Sequence, residues 1–302
     1  MVSRDLKRKI SQLTRERLHG LPKQPVAQTN AQPPGEMELR AICVPELPPG
    51  VADPACPRIE EIGPGRIVER PDGGVYWLIE RRLTEIDPDS RPFLERFAAL
   101  LTSEAILLPE GTSPHLAGFV EADPRRVLYL DIETTGLSGQ PLFLVGVMEF
   151  TGDDFLLKQY FARDYAEEVH LMADLVEHLP HFDLLVTFNG RSFDVPFMRN
   201  RAVVNRLHLD VPPRHFDLLH ESRRHWSGML PNCKLVTLEQ YLCRRRRIDD
   251  IPGALIPAAY HDYVHTTNAD AMRHVIHHNA LDLVTMAEIA LYMLTGKNDW
   301  SM

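Results

Sequence analysis

The sequence has few cysteines and no long apolar run, and both absences narrow the classes of protein to which it can belong. Its four cysteines, Cys43, Cys56, Cys233 and Cys243, are widely spaced and include no Cys-x-x-Cys pair. This spacing argues against a zinc ribbon or a dithiol redox motif and predicts reduced, mostly buried thiols. No run of about 18 apolar residues occurs, and the charged start MVSRDLKRKISQLTRERLHG lacks the apolar core of a signal peptide. We therefore expect a cytoplasmic protein without membrane contact.

Basic residues are in the minority as well. The 33 lysines and arginines are outnumbered by 42 aspartates and glutamates, which gives a formal net charge of -9. This balance argues against a protein that coats nucleic acid non-specifically, although a nuclease needs only a local basic track beside an acidic centre. The length of 302 residues suits one sizeable domain with an extension.

Three regions of the chain differ in pattern. Residues 1–35 combine a basic stretch with a segment rich in proline, glutamine and asparagine, which is typical of a flexible leader. Residues 36–120 predict a small accessory region of mixed structure, with two strands joined at residues 71–74 and a helix in RPFLERFAALL. Residues 121–302 form the main predicted domain.

The main domain has the alternation of strands and helices expected of an α/β fold. Apolar segments predict strands at 127–132, 142–150, 155–161 and 184–189. Because a helix near 166–179 precedes the last of them, this order predicts a mixed sheet flanked by helices. Helical periodicity recurs at 194–207, 216–226, 235–243 and 269–294.

Carboxylates stand at strand ends and helix turns in three segments of this domain. In VLYLDIETTG, Asp131 and Glu133 are two residues apart at the end of an apolar strand, so both point to the same side. Asp194 opens a helix after the strand in LLVTFNG, and Asp282 lies in the last helix, one turn after His278. Taken singly, these acids could equally be a solvated strand end, a helix cap or an exposed aspartate.

The joint order of these acids resembles that of a known family. It is the order of the DEDD 3′–5′ exonucleases of the RNase H-like superfamily, and within that superfamily the chain is similar to the bacterial YprB-type domain. The matching stretches are DIETTG, FNGRSFDVPF, FDLLHESRRHW, CKLVTLEQYL, DDIPG followed by Ile256-Pro257, and HNALDLV. The resemblance covers roughly residues 125–295. It implies an RNase H-like fold and metal-binding roles for Asp131, Glu133, Asp194 and Asp282.

The residue types agree with that chemistry. Mg²⁺ and Mn²⁺ take oxygen ligands and leave positions open for phosphate and water. Two such ions about 3.5–4 Å apart would stabilise the attacking and departing oxygens of a displacement at phosphorus. Without these cations the four carboxylates repel one another, so the empty site should be poorly stable. We expect a nuclease with two divalent cations, and the resemblance implies 3′–5′ exonuclease action.

Two adjacent histidines compete for the role of general base. DEDD enzymes place a tyrosine four residues, or a histidine five residues, before the last aspartate, and this chain has His278 and His277 at those two positions. The YprB pattern would have tyrosine where His278 stands. A histidine with a pKa of about 6.5 can take a proton from metal-bound water at neutral pH. We favour His278, with His277 or neither as the alternatives.

The predicted partner is nucleic acid, expected to be single-stranded. The residues predicted to contact it are Thr134, Asn189, Arg191, Phe193 and Lys234. Arginine suits phosphate and aromatic rings stack on bases, although Phe193 and Trp226 could equally be core residues. The run from Arg244 to Arg247 either meets phosphates or forms a solvated surface paired with Asp249 and Asp250.

Two other functions fit parts of the pattern. A catalytically weak RNase H-like module could bind nucleic acid or protein, although the presence of all four acids favours an enzyme. A haloacid-dehalogenase-type phosphatase also has an acid at a strand end, but it needs an aspartate in place of Glu133 and a downstream lysine. No residue can be assigned to sensing the 2′-hydroxyl that separates RNA from DNA.

Overall fold

A seven-stranded mixed sheet forms the centre of the computed structural model, which describes residues 39–102, 113–137 and 139–295. The strands are β1 (Arg40–Cys43), β2 (Arg66–Glu69), β3 (Val75–Arg82), β4 (Val127–Thr134), β5 (Leu142–Phe150), β6 (Phe155–Phe161), β7 (Leu184–Thr187), β8 (Arg214–Asp217) and β9 (Arg245–Ile248). The helices are α1 (Leu83–Ile86), α2 (Arg91–Thr102), α3 (Pro114–Val120), α4 (Glu168–His178), α5 (Asp194–Val204), α6 (Leu218–Trp226), α7 (Leu235–Tyr241), α8 (Ile256–Thr266) and α9 (Asp270–Thr295).

The order of strands across this sheet is β2-β3-β6-β5-β4-β7-β8. Neighbours from β2 to β4 are antiparallel, whereas β4, β7 and β8 run parallel. Strands β1 and β9 form a separate parallel pair. The mixed α/β sheet predicted from the order of elements is therefore confirmed. Strands β7 and β8, which run parallel to β4, are preceded by helices α4 and α5, because parallel strands need a crossover connection.

Strand β4 lies near the middle of the sheet and is buried on both faces. Its side chains alternate as period-two geometry requires: Leu128, Leu130 and Ile132 enter one hydrophobic cluster, whereas Val127 and Tyr129 enter another. Asp131 has the same parity as Val127 and Tyr129, so it continues their face beyond the apolar part of the strand.

Helix α9, of 26 residues, covers that face of β4. Its first turns contribute Met272 and Val275 to one hydrophobic cluster, and later turns contribute Leu283, Val284 and Ala287 to the other. Burial on so many sides explains why its apolar residues extend beyond one narrow stripe. None of the helices in the described ranges is both long and apolar enough to cross a membrane.

Most of the predicted elements are confirmed, but several short elements were not predicted. The hairpin at 66–82 forms as predicted and extends the main sheet, since β3 pairs with β6. The elements that were not predicted are helices α1, α3 and α8 and strands β1, β8 and β9. Strand β8 occupies residues 214–217, where the prediction began a helix at 216, and β9 is a run of charge, RRRI, which hides its strand character. The predicted boundary at residue 120 stays a prediction, and the leader at residues 1–35 lies outside the described ranges.

The cysteines are free, but the expectation that they are mostly buried was wrong. Cys43 and Cys56 are exposed, and Cys233 and Cys243 are partly buried. Cys43 ends the short strand β1, whose alternate residues face solvent, and Cys56 lies in a turn. Their surroundings therefore follow from local geometry rather than from the usual preference of thiols for the core.

We expect His178, at the end of α4, to make the fold sensitive to acid. Burial, followed by the nearby charge of Lys158, lowers the pKa of His178 from 6.5 to about 4. A histidine that charges more readily when unfolded withdraws stability as the pH falls from about 6.5 towards 4. Replacing His178 with Gln should reduce the difference between the free energies of unfolding at pH 7 and pH 5 by on the order of 1–3 kcal/mol. Urea unfolding at the two pH values measures this difference. Parallel pH profiles for the two proteins would contradict the assignment.

Candidate functional site

Asp131 and Glu133 project from the end of β4 on the face that α9 covers. Asp131 pairs in register with Gly146 of β5. A methyl group at Gly146 would lie only 2.1 Å from the Oδ1 of Asn279, so the glycine leaves the space that this α9 side chain needs. Strand β4 and helix α9 thus approach closely where Asp131 stands.

A chain of hydrogen bonds fixes the Asp131 carboxylate. Asn279 Nδ2 donates to Asp131 Oδ2 at 2.8 Å. Gln159 Nε2 donates to Asn279 Oδ1 at 2.8 Å, and Arg81 Nη2 donates to Gln159 Oε1 at 3.0 Å. Asn279 and Gln159 are fully buried, so their amides cannot turn to water instead. The chain extends from the hairpin strand β3 to the acid at the end of β4.

Asp194 reaches the same place from the start of α5. It is 4% exposed. The backbone at Ile132, between Asp131 and Glu133 on β4, acts on the Asp194 carboxylate to lower its pKa, whereas the charge of Asp282 raises it. The carboxylate therefore lies near the end of β4 and near Asp282, and Asp194 does more than favour a helix N-terminus.

Asp282 faces two cationic side chains. Arg247 Nη2 donates to its Oδ1 at 2.6 Å, and His278 Nε2 lies 3.6 Å from its Oδ2. The other ring nitrogen of His278, Nδ1, is 2.9 Å from Asp250 Oδ1. Asp250 thus orients the imidazole so that Nε2 points to the acids.

The four acids are close enough for their charges to interact. Burial raises the pKa of Asp131 well above its usual value, and the charges of Asp282, Glu133 and Asp194 raise it further. Burial also raises the pKa of Glu133 to about 8, with His278 opposing it. Burial, together with the charge of Asp217, raises the pKa of Asp194 to about 7. Four carboxylates from three distant segments therefore share one poorly solvated region.

The donor set fits hard divalent cations. All four side chains offer oxygen atoms, and the cost of their burial is the kind that a divalent ion relieves. Across the described part of the chain, no three acidic, histidine or cysteine side chains already have the arrangement of a metal site. Asn279 engages Oδ2 of Asp131 and Arg247 engages Oδ1 of Asp282, so the other oxygen of each acid is the one that remains for ligation.

The two candidate bases occupy different surroundings. Burial lowers the pKa of His278, but the hydrogen bond to Asp250 and the charges of Asp282 and Glu133 outweigh that effect and raise the pKa to about 9. His277 is 3% exposed, and burial lowers its pKa to about 4. Neither of its ring nitrogens has a hydrogen-bond partner in the described residues, and it lines a separate pocket. Only His278 contacts one of the four acids.

Of the residues predicted to contact nucleic acid, Phe193 and Lys234 are exposed, whereas Thr134 is buried. Phe193, just before α5, is 37% exposed and packs on Phe197, so one face remains available. Thr134 is buried and donates to Gly136 O at 2.7 Å. Lys234 is exposed before α7, and within the described ranges no hydrogen bond or ion pair connects its side chain to the acids. Trp226 is buried against Tyr292 and belongs to the core.

Asp217, which sequence reasoning missed, holds the loop that carries Asn189 and Arg191. Its two carboxylate oxygens accept the backbone N–H groups of Asn189 at 2.9 Å and Arg191 at 3.0 Å, and it also caps α6. Asn189 takes a left-handed conformation, φ 66°, in this loop. The Arg191 guanidinium bonds to His215 O at 2.6 Å and remains exposed. The sequence signal was present in FDLL, an aspartate between a strand and a helix.

The arginine run is divided between the interior and the surface, and Arg247 pairs with Asp250 at 3.4 Å as one of the two predictions expected. Phosphate contact by the exposed Arg244 and Arg246 stays a prediction. Strand β9 alternates, so Arg245 and Arg247 are directed inwards while Arg244 and Arg246 are exposed. Arg245 is fully buried and bonds to Glu239 at 2.6 Å, and Arg247 bonds to the other oxygen of Glu239 at 2.7 Å. Because Arg247 also holds Asp282, it is a component of the site that the charge run concealed.

Comparison with known proteins identifies the superfamily of this chain. A family model of the RNase H superfamily matches residues 128–294, over half of the chain. The chain belongs to the RNase H superfamily. The predicted RNase H-like fold is thereby confirmed, whereas the DEDD exonuclease type stays a prediction.

This RNase H-like chain is also similar to two longer proteins. The uncharacterized protein YprB of Bacillus subtilis is 32% identical over 172 residues, which are 55% of this chain and 41% of that protein. The family B DNA polymerase of the archaeon Pyrobaculum calidifontis is 18% identical, with a TM-score of 0.44, over 72% of this chain and 29% of the polymerase. The chain therefore spans less than half the length of each.

We expect Glu133→Gln to stabilise the metal-free protein at alkaline pH. The folded pKa of about 8 lies above the ordinary value of 4.5, so the stabilising contribution of Glu133 is present below pH 4.5 and is lost as the pH rises through 8. Because Gln does not titrate, the free energy of unfolding of the variant relative to that of the unmodified protein should increase by on the order of 1–3 kcal/mol between pH 5 and pH 8.5. Urea unfolding in EDTA measures both free energies. A difference that does not change with pH would contradict the burial cost described here.

Proposed function

We propose that this protein is a metal-dependent nuclease that hydrolyses phosphodiester bonds, acting from the 3′ end of single-stranded nucleic acid. One observation carries the proposal: Asp131, Glu133, Asp194 and Asp282 interact electrostatically in one partly buried region although they come from three separate segments. Burying several like charges together is costly, and proteins retain such clusters mainly at sites that bind cations or transfer protons.

The four carboxylates would hold two Mg²⁺ or Mn²⁺ ions. When bound, such ions stabilise the charge that develops on the attacking and departing oxygens at phosphorus. Asn279 keeps the Asp131 carboxylate in a fixed orientation through the bond to Oδ2. Arg247 occupies Oδ1 of Asp282, so Oδ2 is the oxygen of that acid that remains for ligation.

His278 is the residue that we propose as the general base. Asp250 holds Nδ1, so Nε2 is the atom that would accept the proton of the attacking water. The charges of Asp282 and Glu133 contribute to the raised pKa of His278 in the metal-free protein, and bound cations would offset those charges and favour the neutral imidazole that a base requires. His278 Nε2 lies 3.6 Å from Asp282 Oδ2, and the charge of Glu133 acts on the same imidazole. Phe193 and Arg191 lie at the segment that precedes α5, where an exposed ring and a guanidinium suit a base and a phosphate.

Alanine substitutions of Asp131 and Asp282 test the enzyme directly. With 5′-labelled single-stranded DNA and RNA in Mg²⁺ or Mn²⁺, each variant should lose more than about 100-fold in rate, because ligands are removed from the ions that stabilise the transition state. Asp210→Ala, at an exposed acid, should retain full activity. A blocked 3′ end should stop degradation.

Three results would weigh against this proposal. Degradation that survives both substitutions would indicate another site or a contaminant. Nucleic-acid binding without hydrolysis under any metal condition would favour a binding module. Cleavage of a substrate with a blocked 3′ end would exclude strict 3′–5′ exonuclease action while leaving a nuclease.

The role of His278 is tested separately from that of the acids. We expect His278→Ala to lower turnover by about 100-fold or more while Mn²⁺ still raises the Tm, because proton transfer is lost and the carboxylate ligands are kept. His274→Ala, one turn earlier on α9, is the matched control and should keep its turnover. Turnover near that of the unmodified protein in His278→Ala would move the assignment to His277.

A further inference from the structure

A second pocket, with a volume of about 160 Å³, lies between the segment before β2, strand β3 and the first turns of α9. None of the four acids lines it. Its walls are mainly apolar side chains, and these include Ile59, Ile62, Trp77, Ile79 and Ile276. An engineered apolar cavity of about 150 Å³ in another protein binds benzene, so this pocket has the size for one six-membered ring.

Three polar side chains that line this pocket have buried nitrogen atoms without hydrogen-bond partners in the described ranges. His277 is 3% exposed, and neither of its ring nitrogens has a partner. The Nε atoms of Arg81 and Arg273 are also buried and unpartnered, although other atoms of both guanidinium groups donate hydrogen bonds. Buried polar groups in proteins almost always have partners, so their concentration in one apolar pocket requires an explanation.

Arg81, which is partly buried, differs from the two arginines that are buried in the described part of the chain. Arg201 pairs with Glu168 and Arg245 pairs with Glu239. Arg81 donates to the neutral amide of Gln159, and no carboxylate of the described residues lies within ion-pair distance of it. An unpaired cation in apolar surroundings is costly, and an anion beside it would offset that cost.

The charges around the pocket favour the same kind of occupant. Burial lowers the pKa of Arg81 to about 10, so it remains charged at neutral pH, whereas His277 is neutral. Arg273 at the rim is engaged with Pro45 O and Asp270. Glu46, the acid that lines the pocket, is exposed, so water screens its charge.

We propose that this pocket is a binding site for a small organic anion, in which an apolar group of about the size of a benzene ring carries one carboxylate or phosphate. The apolar part lies between Trp77 and the isoleucines. The anionic group accepts hydrogen bonds from Arg81 and from the one N–H group of the neutral His277 imidazole.

The test uses benzoate and phenyl phosphate as probes, with benzamide as the neutral counterpart of benzoate. Ligand-observed NMR on the full chain should show saturable binding of at least one anion and binding of benzamide at least about ten-fold weaker. Arg81→Met keeps an apolar stem and removes the charge, and it should weaken anion binding by about 10- to 100-fold. Arg223→Met, at an exposed arginine of α6, should leave anion binding unchanged.

A second variant keeps the test decisive if Arg81→Met does not fold. Ile276→Phe places a ring in the pocket and should abolish binding of both anions while Arg81 is retained. Binding itself is the measurement, because Arg81 also connects to Asp131 through Gln159 and Asn279, and nuclease rates would mix the two effects. Equal affinity for benzamide, or saturable binding to neither anion, would overturn the proposal.

Discussion

The repulsion among four carboxylates in a poorly solvated region is the constraint on which the rest of the site depends. Asp131 and Glu133 are placed side by side by the two-residue period of one strand, and Asp194 and Asp282 are added from two helices. Each additional negative charge raises the cost of ionising the others. The surrounding structure must therefore supply donors and cations, and it does so with Asn279 at Asp131 and with Arg247 at Asp282.

Helix α9 organises this compensation. Asn279, His278 and Asp282 lie within two turns of it, and its apolar residues fix it against the sheet from its first turns to its last. A helix held along its whole length cannot shift to separate the acids. The same rigidity places His277 in a different pocket although it is adjacent to His278 in sequence, because successive residues of a helix point about 100° apart.

Segments outside the family match also support the site. Arg81, in β3, begins the hydrogen-bond chain to Asp131. Strand β1 pairs with β9 in a register that sets Ile42 beside Arg247, which holds Asp282. Asp87 lies 3.8 Å from Arg245, and Arg245 shares Glu239 with Arg247. Residues 128–294 carry all four acids, but the orientation of two of them depends on contacts that lead back to residues 40–87.

The sequence by itself determined the mixed α/β fold, the core strands and the identity of the acidic residues. Hydrophobic period and residue order are local properties, so β4, β5, β6 and α9 could be read directly, and two-residue spacing was enough to place Asp131 and Glu133 on one side. Only the tertiary structure decided that Arg247 faces Asp282, that Asp250 orients His278 and that Asp217 holds the loop before α5. These contacts join residues 26 to 35 positions apart. No local pattern encodes them, because they arise only when the packed sheet and helices bring distant side chains together.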